Sequence, residues 1–280
     1  MVAIVSQIRC RQIKAADLEA VADLLTRGFA SRPRKYWTTA LQRLAARGAP
    51  EGCPEFGYLL EADGAIVGVL LLIFSERGGE IRCNVSSWYV EPAHRGHAAL
   101  LASMASKLKH VTYLNASASE HTWPILNALG YRRYTEGQVL CLPALKLGGG
   151  KARRLTPADA GLPDYDLLRA HAEAGCLVVV CGTGAGPEPF VFLRRRIARL
   201  PFAAMQLIYA RDTDAFVACA GPVGRLLARQ GAPWVLCDAE AAIPGLAGVF
   251  FKDRTPRYFK GPSRPRVNDL AFTEMVVFGP

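Results

Sequence analysis

The stretch that most restricts this chain is Val90-Glu91-Pro92-Ala93-His94-Arg95-Gly96-His97-Ala98-Ala99-Leu100-Leu101. An extended run, Ile81 to Tyr89, leads into it, and a helical pattern, Ala98 to Leu108, leads out. A chain that turns from strand to helix through Pro92 and Gly96 leaves the first amides of that helix without intrahelical partners. Those N–H groups and the positive end of the helix dipole form a ready anion site. Arg95 adds a fixed charge suited to phosphate. The same residues also suit a purely structural turn, so the order of elements around it has to decide.

The chain has 280 residues, 51% hydrophobic and 21% charged. That is enough for two cores of ordinary size and excludes a disordered chain. The most apolar run, Ala65 to Phe74, has strand length and contains Gly68, so no membrane span is expected. Met1–Gln7 carries no secretory pattern. The eight cysteines sit singly, mostly within apolar runs, without paired Cys-x-x-Cys spacing. This argues against a metal site and a disulfide framework, and for free thiols in a reducing cytoplasm. A net charge of +10 suits an anionic ligand. The basic residues are scattered; the densest group, Arg194-Arg195-Arg196 with Arg199, reads as a solvated strand end, so nucleic acid is not the expected partner. Oligomeric state is not legible.

Periodicity predicts strands at Gln7–Ile13, Phe56–Glu61, Ala65–Phe74, Ile81–Val90, Val111–Asn115 and Tyr131–Leu140. Helices are predicted from Ala15 to Phe29, Lys35 to Arg47, Ala98 to Leu108 and Thr122 to Leu129, the last ending at Gly130. Gly148-Gly149-Gly150 is a flexible joint, where the domain boundary is placed. The second half begins with a strand at Lys151–Leu155 and a helical region opened by Thr156-Pro157-Ala158-Asp159. Strands follow at Cys176–Cys181, Phe190–Arg195, Ala203–Ala210 and Trp234–Cys237, with a helix over Asp214–Arg229 and a closing strand over Asp269–Phe278. Arg257-Tyr258-Phe259-Lys260 reads as a strand or as an aromatic-basic patch. Ser87–Pro92 and Leu207–Asp212 each precede a helix and a short apolar strand, which indicates a diverged internal repeat. Asp212 and Asp214 stand at the second helix start, where acids repel phosphate.

This element order, with Val90, Pro92, Arg95 and Gly96 in the turn and Leu129-Gly130-Tyr131 after the short helix, resembles the GNAT acyltransferase superfamily over roughly residues 6 to 142. The resemblance implies an α/β (α+β) fold with a mixed, mostly antiparallel central sheet flanked by helices, present twice. Residues 1–147 would form an acyl-CoA-binding domain and 151–280 a degenerate copy. It implies acetyl-CoA or another acyl-CoA as co-substrate, held by backbone groups near Trp88 and Val90 and by the turn Arg95, Gly96, His97, Ala98 and Ala99. It also implies direct transfer to a small-molecule acceptor, an amine. Ala98 and Leu100 stand at the family's later small-residue positions, and Leu126 where a general-acid Tyr is common.

Candidate chemistry comes from polar residues at the carboxyl ends of two strands. Alternation places Asn84, Ser86 and Trp88 on one face. Asn115, Ser117 and Ser119 leave the following strand, and His121 opens a helix. Ser86, Asn115 and His121 are taken as the catalytic candidates, His121 because an ordinary imidazole removes protons near neutral pH. Ser117 and Ser119 also read as helix caps, and His121 as a surface histidine. Glu80 and Glu91 are further bases, and Cys83 a weak nucleophile with no local histidine. A non-catalytic module that binds coenzyme A or another anion is the alternative reading.

Overall fold

The computed structural model describes residues 8–184, 186–196 and 203–279. Met1–Gln7 and Arg199, on which the leader and basic-cluster readings rest, lie outside them. In chain order the first elements are β1 (Ile8–Gln12), α1 (Leu18–Gly28), α2 (Arg34–Arg47), β2 (Gly57–Ala62), β3 (Ala65–Arg77), β4 (Glu80–Val90), α3 (Ala98–Ala105), β5 (Thr112–Asn115) and α4 (Trp123–Ala128). They are followed by β6 (Arg132–Cys141), β7 (Ala152–Arg154), α5 (Tyr165–Glu173), β8 (Leu177–Thr183), β9 (Gly186–Arg195), β10 (Ala204–Tyr209), α6 (Thr213–Arg229), β11 (Trp234–Ala239), β12 (Gly248–Lys260) and α7 (Glu274–Val277). Among the described residues no helix is long and apolar enough to cross a membrane.

These residues form two compact units. The first takes Met1–Arg132, Phe259–Arg264 and Phe272–Gly279; the second takes Arg133–Tyr258 and Pro265–Ala271. The division falls at Arg132 and Arg133 rather than at Gly148–Gly150. The reason is pairing: β6 lies antiparallel to β11 from Gly137 to Cys141, so it belongs to the second unit's sheet. The glycines lie inside that unit, where Arg225 donates to the Gly148 carbonyl at 3.1 Å.

In the first unit the strand order is β1-β2-β3-β4-β5, antiparallel except for the parallel pair β4–β5. β3 is the hub. Its apolar run from Val67 to Phe74 is buried throughout. Val69, Leu71 and Ile73 pack beneath Val21, Leu24 and Leu25 of α1 and Trp37, Leu41 and Leu44 of α2, with Phe278 from the carboxyl-terminal segment. The apolar stripe of α3, Leu101, Ala102 and Ala105, is buried as well, and α3 packs on β2 and β3.

The second unit orders its strands β12-β6-β11-β10-β9-β8-β7, with β10 and β11 parallel. Phe216, Cys219, Val223 and Leu227 of α6 cover Phe190, Phe192, Leu207, Val235 and Cys237. Two segments differ from what their sequence predicts. Asp269–Phe278 is not a closing strand: Asp269 makes one isolated bridge with Tyr209, Asn268 and Phe272 adopt positive φ, and the chain winds into α7. β12 is longer than the Arg257–Lys260 segment, because it begins before the turn-like Asp253-Arg254-Thr255-Pro256. Asp253 and Thr255 there take φ of 60° and 46°.

Both units open with the same clip. Arg11 at the end of β1 grips Asp17 at 2.7 and 2.9 Å, and Arg153 at the end of β7 grips Asp159 at 2.6 and 2.5 Å. Each aspartate also accepts the backbone N–H three residues earlier, at Lys14 and Thr156, closing a 3-10 turn. The arginine, followed by these backbone bonds, holds both carboxyls below their ordinary range.

A depressed carboxylate stabilises the fold above its unfolded pKa of ~4 and loses that contribution as pH falls through the lower folded value. Asp159→Asn is therefore expected to cost roughly 1–2 kcal/mol at neutral pH. The gap to the wild type should narrow steadily in urea unfolding curves taken from about pH 5 down to about pH 2. A gap that is constant with pH would show that the charge of Asp159 does not contribute.

Candidate functional site

β4 is held along its whole length by β3, from Glu80 opposite Arg77 to Val90 opposite Gly68. On its other edge it pairs with β5 only at Arg82, Cys83 and Asn84. From Val85 to Val90 that edge has no β5 partner, because β5 ends at Asn115, one residue beyond the Asn84–Leu114 pair. β4 thus runs on past the last rung it shares with its parallel neighbour.

A β-bulge sits on the separated stretch. Ser86 faces Leu71 and Tyr89 faces Val69, so Ser87 and Trp88 together oppose Leu70. Ser87 takes φ of 53°, a left-handed conformation rare outside glycine. The extra residue shifts the alternation: Asn84 and Ser86 share the α1–α2 face, and Tyr89, not Trp88, continues it. The tyrosine packs on the α1–α2 core. A Cβ on Gly28 would stand 2.4 Å from its ring, so α1 ends against Tyr89 only because residue 28 lacks a side chain.

The three catalytic candidates are not brought together by hydrogen bonds. Ser86 is buried and bonds Ser87 Oγ at 3.1 Å. Asn115 Oδ1 accepts the Ser117 N–H at 3.3 Å, a loop-closing role. His121 is exposed and meets Ser119 Oγ at 3.4 Å. Of the other bases, Glu91 pairs with Arg27 at 2.9 Å, and Glu80 pairs with Arg82 at 3.4 Å and accepts Ser263 Oγ–H at 3.2 Å. Cys83 is fully buried, and burial pushes its thiol well above the ordinary range, which removes it as a nucleophile. Leu126 is buried core. Among the described residues no cluster of His, Cys, Asp and Glu is placed to hold a metal ion.

The turn after β4 is wound more tightly than a simple loop. Pro92–His97 forms a 3-10 helix, in which the His94 N–H donates to Glu91 and the Ala98 N–H to Arg95. The amide of Ala98 is therefore already bonded to protein. Arg95, Gly96, His97 and Ala99 are exposed. Nothing stands within 4 Å of a Cβ built on Gly96, so the space over it is open. Leu100, in the first turn of α3, is 43% exposed beside them.

Sequence reasoning missed Glu274. It lies on α7, and one of its carboxylate oxygens accepts the Nδ2–H of Asn84. No local pattern announces a partner 190 residues away.

A scan of protein-family models and a search of curated proteins each find no match. Solved structures do match over nearly the whole chain. A GCN5-related N-acetyltransferase from Kribbella flavida aligns with 92% of this chain and 72% of its own at a TM-score of 0.55 and 14% identity. One from Anabaena variabilis aligns with 90% and 72% at 0.58 and 10% identity. Eis1 from Mycobacterium abscessus aligns with 95% and 74% at 0.53 and 16% identity. The chain thus has the fold of the GCN5-related N-acetyltransferases, mixed and mostly antiparallel, as the turn and element order led one to expect.

The strain at the bulge is testable. Ser87→Gly removes the Cβ conflict at positive φ and is expected to be neutral or to stabilise by up to about 1 kcal/mol, whereas Ser87→Val should cost more than that. Thermal unfolding of both variants checks it; equal destabilisation by both would contradict a left-handed residue 87.

Proposed function

We propose that this chain is an acyl-CoA-dependent N-acyltransferase that transfers an acyl group, acetyl in the simplest case, to the amine of a small molecule. The observation that carries this reading is the separation of β4 from β5 beyond Asn84, at a bulged strand end that runs into the Arg95–Gly96 turn. It leaves a cleft edge of unpaired backbone beside an exposed cation. A thioester arm needs such an edge, and a phosphate such a cation. Arg95 would meet the phosphates, and the open space over Gly96 lets them approach the backbone.

Acyl-CoA would supply an activated carbonyl. The amine nitrogen bonds to that carbon, the carbon–sulfur bond breaks, and the thiol leaves with a proton from the amine. The protein's part is to orient the two reactants and to direct backbone N–H groups at the oxyanion. With Leu126 in place of a hydroxyl donor, positioning has to carry most of the rate. Ser86 on the α1–α2 face of the separated strand belongs to this site, and so do Asn115 and the exposed His121 beyond β5.

The second unit repeats the strand order, the bulge and the parallel pair. Its turn carries Asp212 instead, whose carboxylate caps α6 by accepting the Ala215 N–H at 2.6 Å. We assign it no donor site, and read the chain as a tandem arrangement in which this unit supports the first. A cytoplasmic setting and the absence of nucleic-acid partners belong to the same proposal. The buried Leu126 favours one other reading, a binding module without turnover.

Titration calorimetry of acetyl-CoA into the wild type and into an Arg95→Ala, Gly96→Asp double variant tests the donor site. Micromolar binding that weakens at least tenfold in the variant, with stability unchanged to within about 0.5 kcal/mol because both residues are exposed, is the expected result. No binding to the wild type would overturn it.

Leu100→Gly gives a second test. Restoring a small residue in the first turn of α3 is expected to tighten acetyl-CoA binding while costing the helix up to about 1 kcal/mol. An unchanged dissociation constant would place Leu100 outside the donor site.

A further inference from the structure

The α1–α2 face of β4 holds a polar pair that no other described residue completes. Asn84 is 3% exposed. Its Nδ2 donates to one oxygen of Glu274 on α7, which leaves its own Oδ1 buried without a partner. The second oxygen of Glu274, Oε1, is also buried and without a partner. Both unused atoms are acceptors. Among the described residues no lysine, arginine or histidine pairs with Glu274, so its charge is met only by a neutral amide. A buried acceptor left unpaired destabilises the fold, and a buried charge without a counter-ion does so more. Elsewhere the chain avoids this: the fully buried Asp238 is gripped by Arg257 at 2.8 and 3.0 Å.

The position matters as much as the chemistry. Asn84 is the last residue of β4 that β5 still pairs with, so the two oxygens lie where the strands begin to part. Ser86 is the next residue on that face. Glu274 as a residue is only partly buried.

Two acceptors, one of them anionic, call for a compact donor with several N–H groups and a positive charge. We propose that Asn84 Oδ1 and Glu274 Oε1 form a subsite for a primary ammonium group, and that this subsite selects a cationic amine as the acceptor molecule. The assignment of the bound amine as acceptor rests on the acyltransfer reading; the ammonium site itself does not. Neutral hydroxyl compounds of the same shape would leave Glu274 without a counter-charge and would be rejected.

The test uses the whole chain labelled with nitrogen-15 and follows the side-chain amide of Asn84 by NMR, with no coenzyme present. The probes are n-butylammonium and, as its neutral counterpart, 1-butanol. Saturable shifts of the Asn84 amide with butylammonium and none with butanol are expected. Glu274→Gln keeps an oxygen for the Asn84 amide, so α7 stays docked, and is expected to weaken butylammonium binding at least tenfold. Equal binding of the two probes, no binding of butylammonium, or undiminished binding by Glu274→Gln would each overturn the subsite. Acetyl-CoA binding, measured separately by calorimetry, reports on the donor reading: its loss leaves the ammonium site standing, and its presence does not rescue a failed one. If the Glu274→Gln protein does not fold, the comparison of butylammonium with butanol on the wild type still decides.

Discussion

The ladder between β3 and β4 is what the rest of the first unit depends on. β3 is buried on both faces and paired on both edges, so it is fixed in register. β4 is fixed to it end to end, and this one-sided grip lets the other edge of β4 part from β5 without unravelling. The bulge at Ser87 is tolerated because residues before and after it stay in register with Leu71 and Val69. From that bulge follow the placement of Tyr89 over Gly28, the burial of Ser86 and the aim of the strand into the Arg95 turn. The candidate chemistry is thus a consequence of unequal pairing on the two edges of a single strand.

The two units apply the same backbone plan to different chemistry. Each begins with an arginine–aspartate clip, bulges its fourth strand and sets a parallel strand beside it. In the second unit the polar residues of the sheet satisfy one another: Gln138 donates to Gln206 at 3.1 Å and to Asp238 at 2.9 Å, and Arg257 closes the set. A buried polar network linked in this way specifies a core. In the first unit Asn84 Oδ1 and Glu274 Oε1 are left without a partner, a cost to folding that a ligand can offset.

Most elements were legible because their apolar residues recur at the spacing of a strand or helix, and the Arg95–Gly96 turn announced the fold. What escaped did so for physical reasons. β12 carries Asp253, Thr255 and Pro256 in its middle, the composition of a turn, yet the strand runs through them. Asp269–Phe278 is rich in β-formers, but Phe272 in a left-handed conformation stops extension and starts a helix. Ser87 bears no mark of positive φ, since glycine is the residue that signals it, and so the face shift from Trp88 to Tyr89 was hidden. The face shared by Asn84 and Ser86 was readable; the partner of Asn84 was not, because it arrives from the far end of the chain.

That arrival has a bearing on how the molecule is made. Phe278 belongs to the core under α1 and α2, and Phe259–Arg264 is also part of the first unit. Synthesis proceeds from the amino terminus, and domains generally fold as they emerge. Here the unit that emerges first is completed last: Phe278 joins a core whose other buried residues lie between Ile13 and Ile73. One apolar residue of the α1–α2 core is therefore supplied only after the second unit's residues have been made, and a chain cut short before Phe278 would lack it.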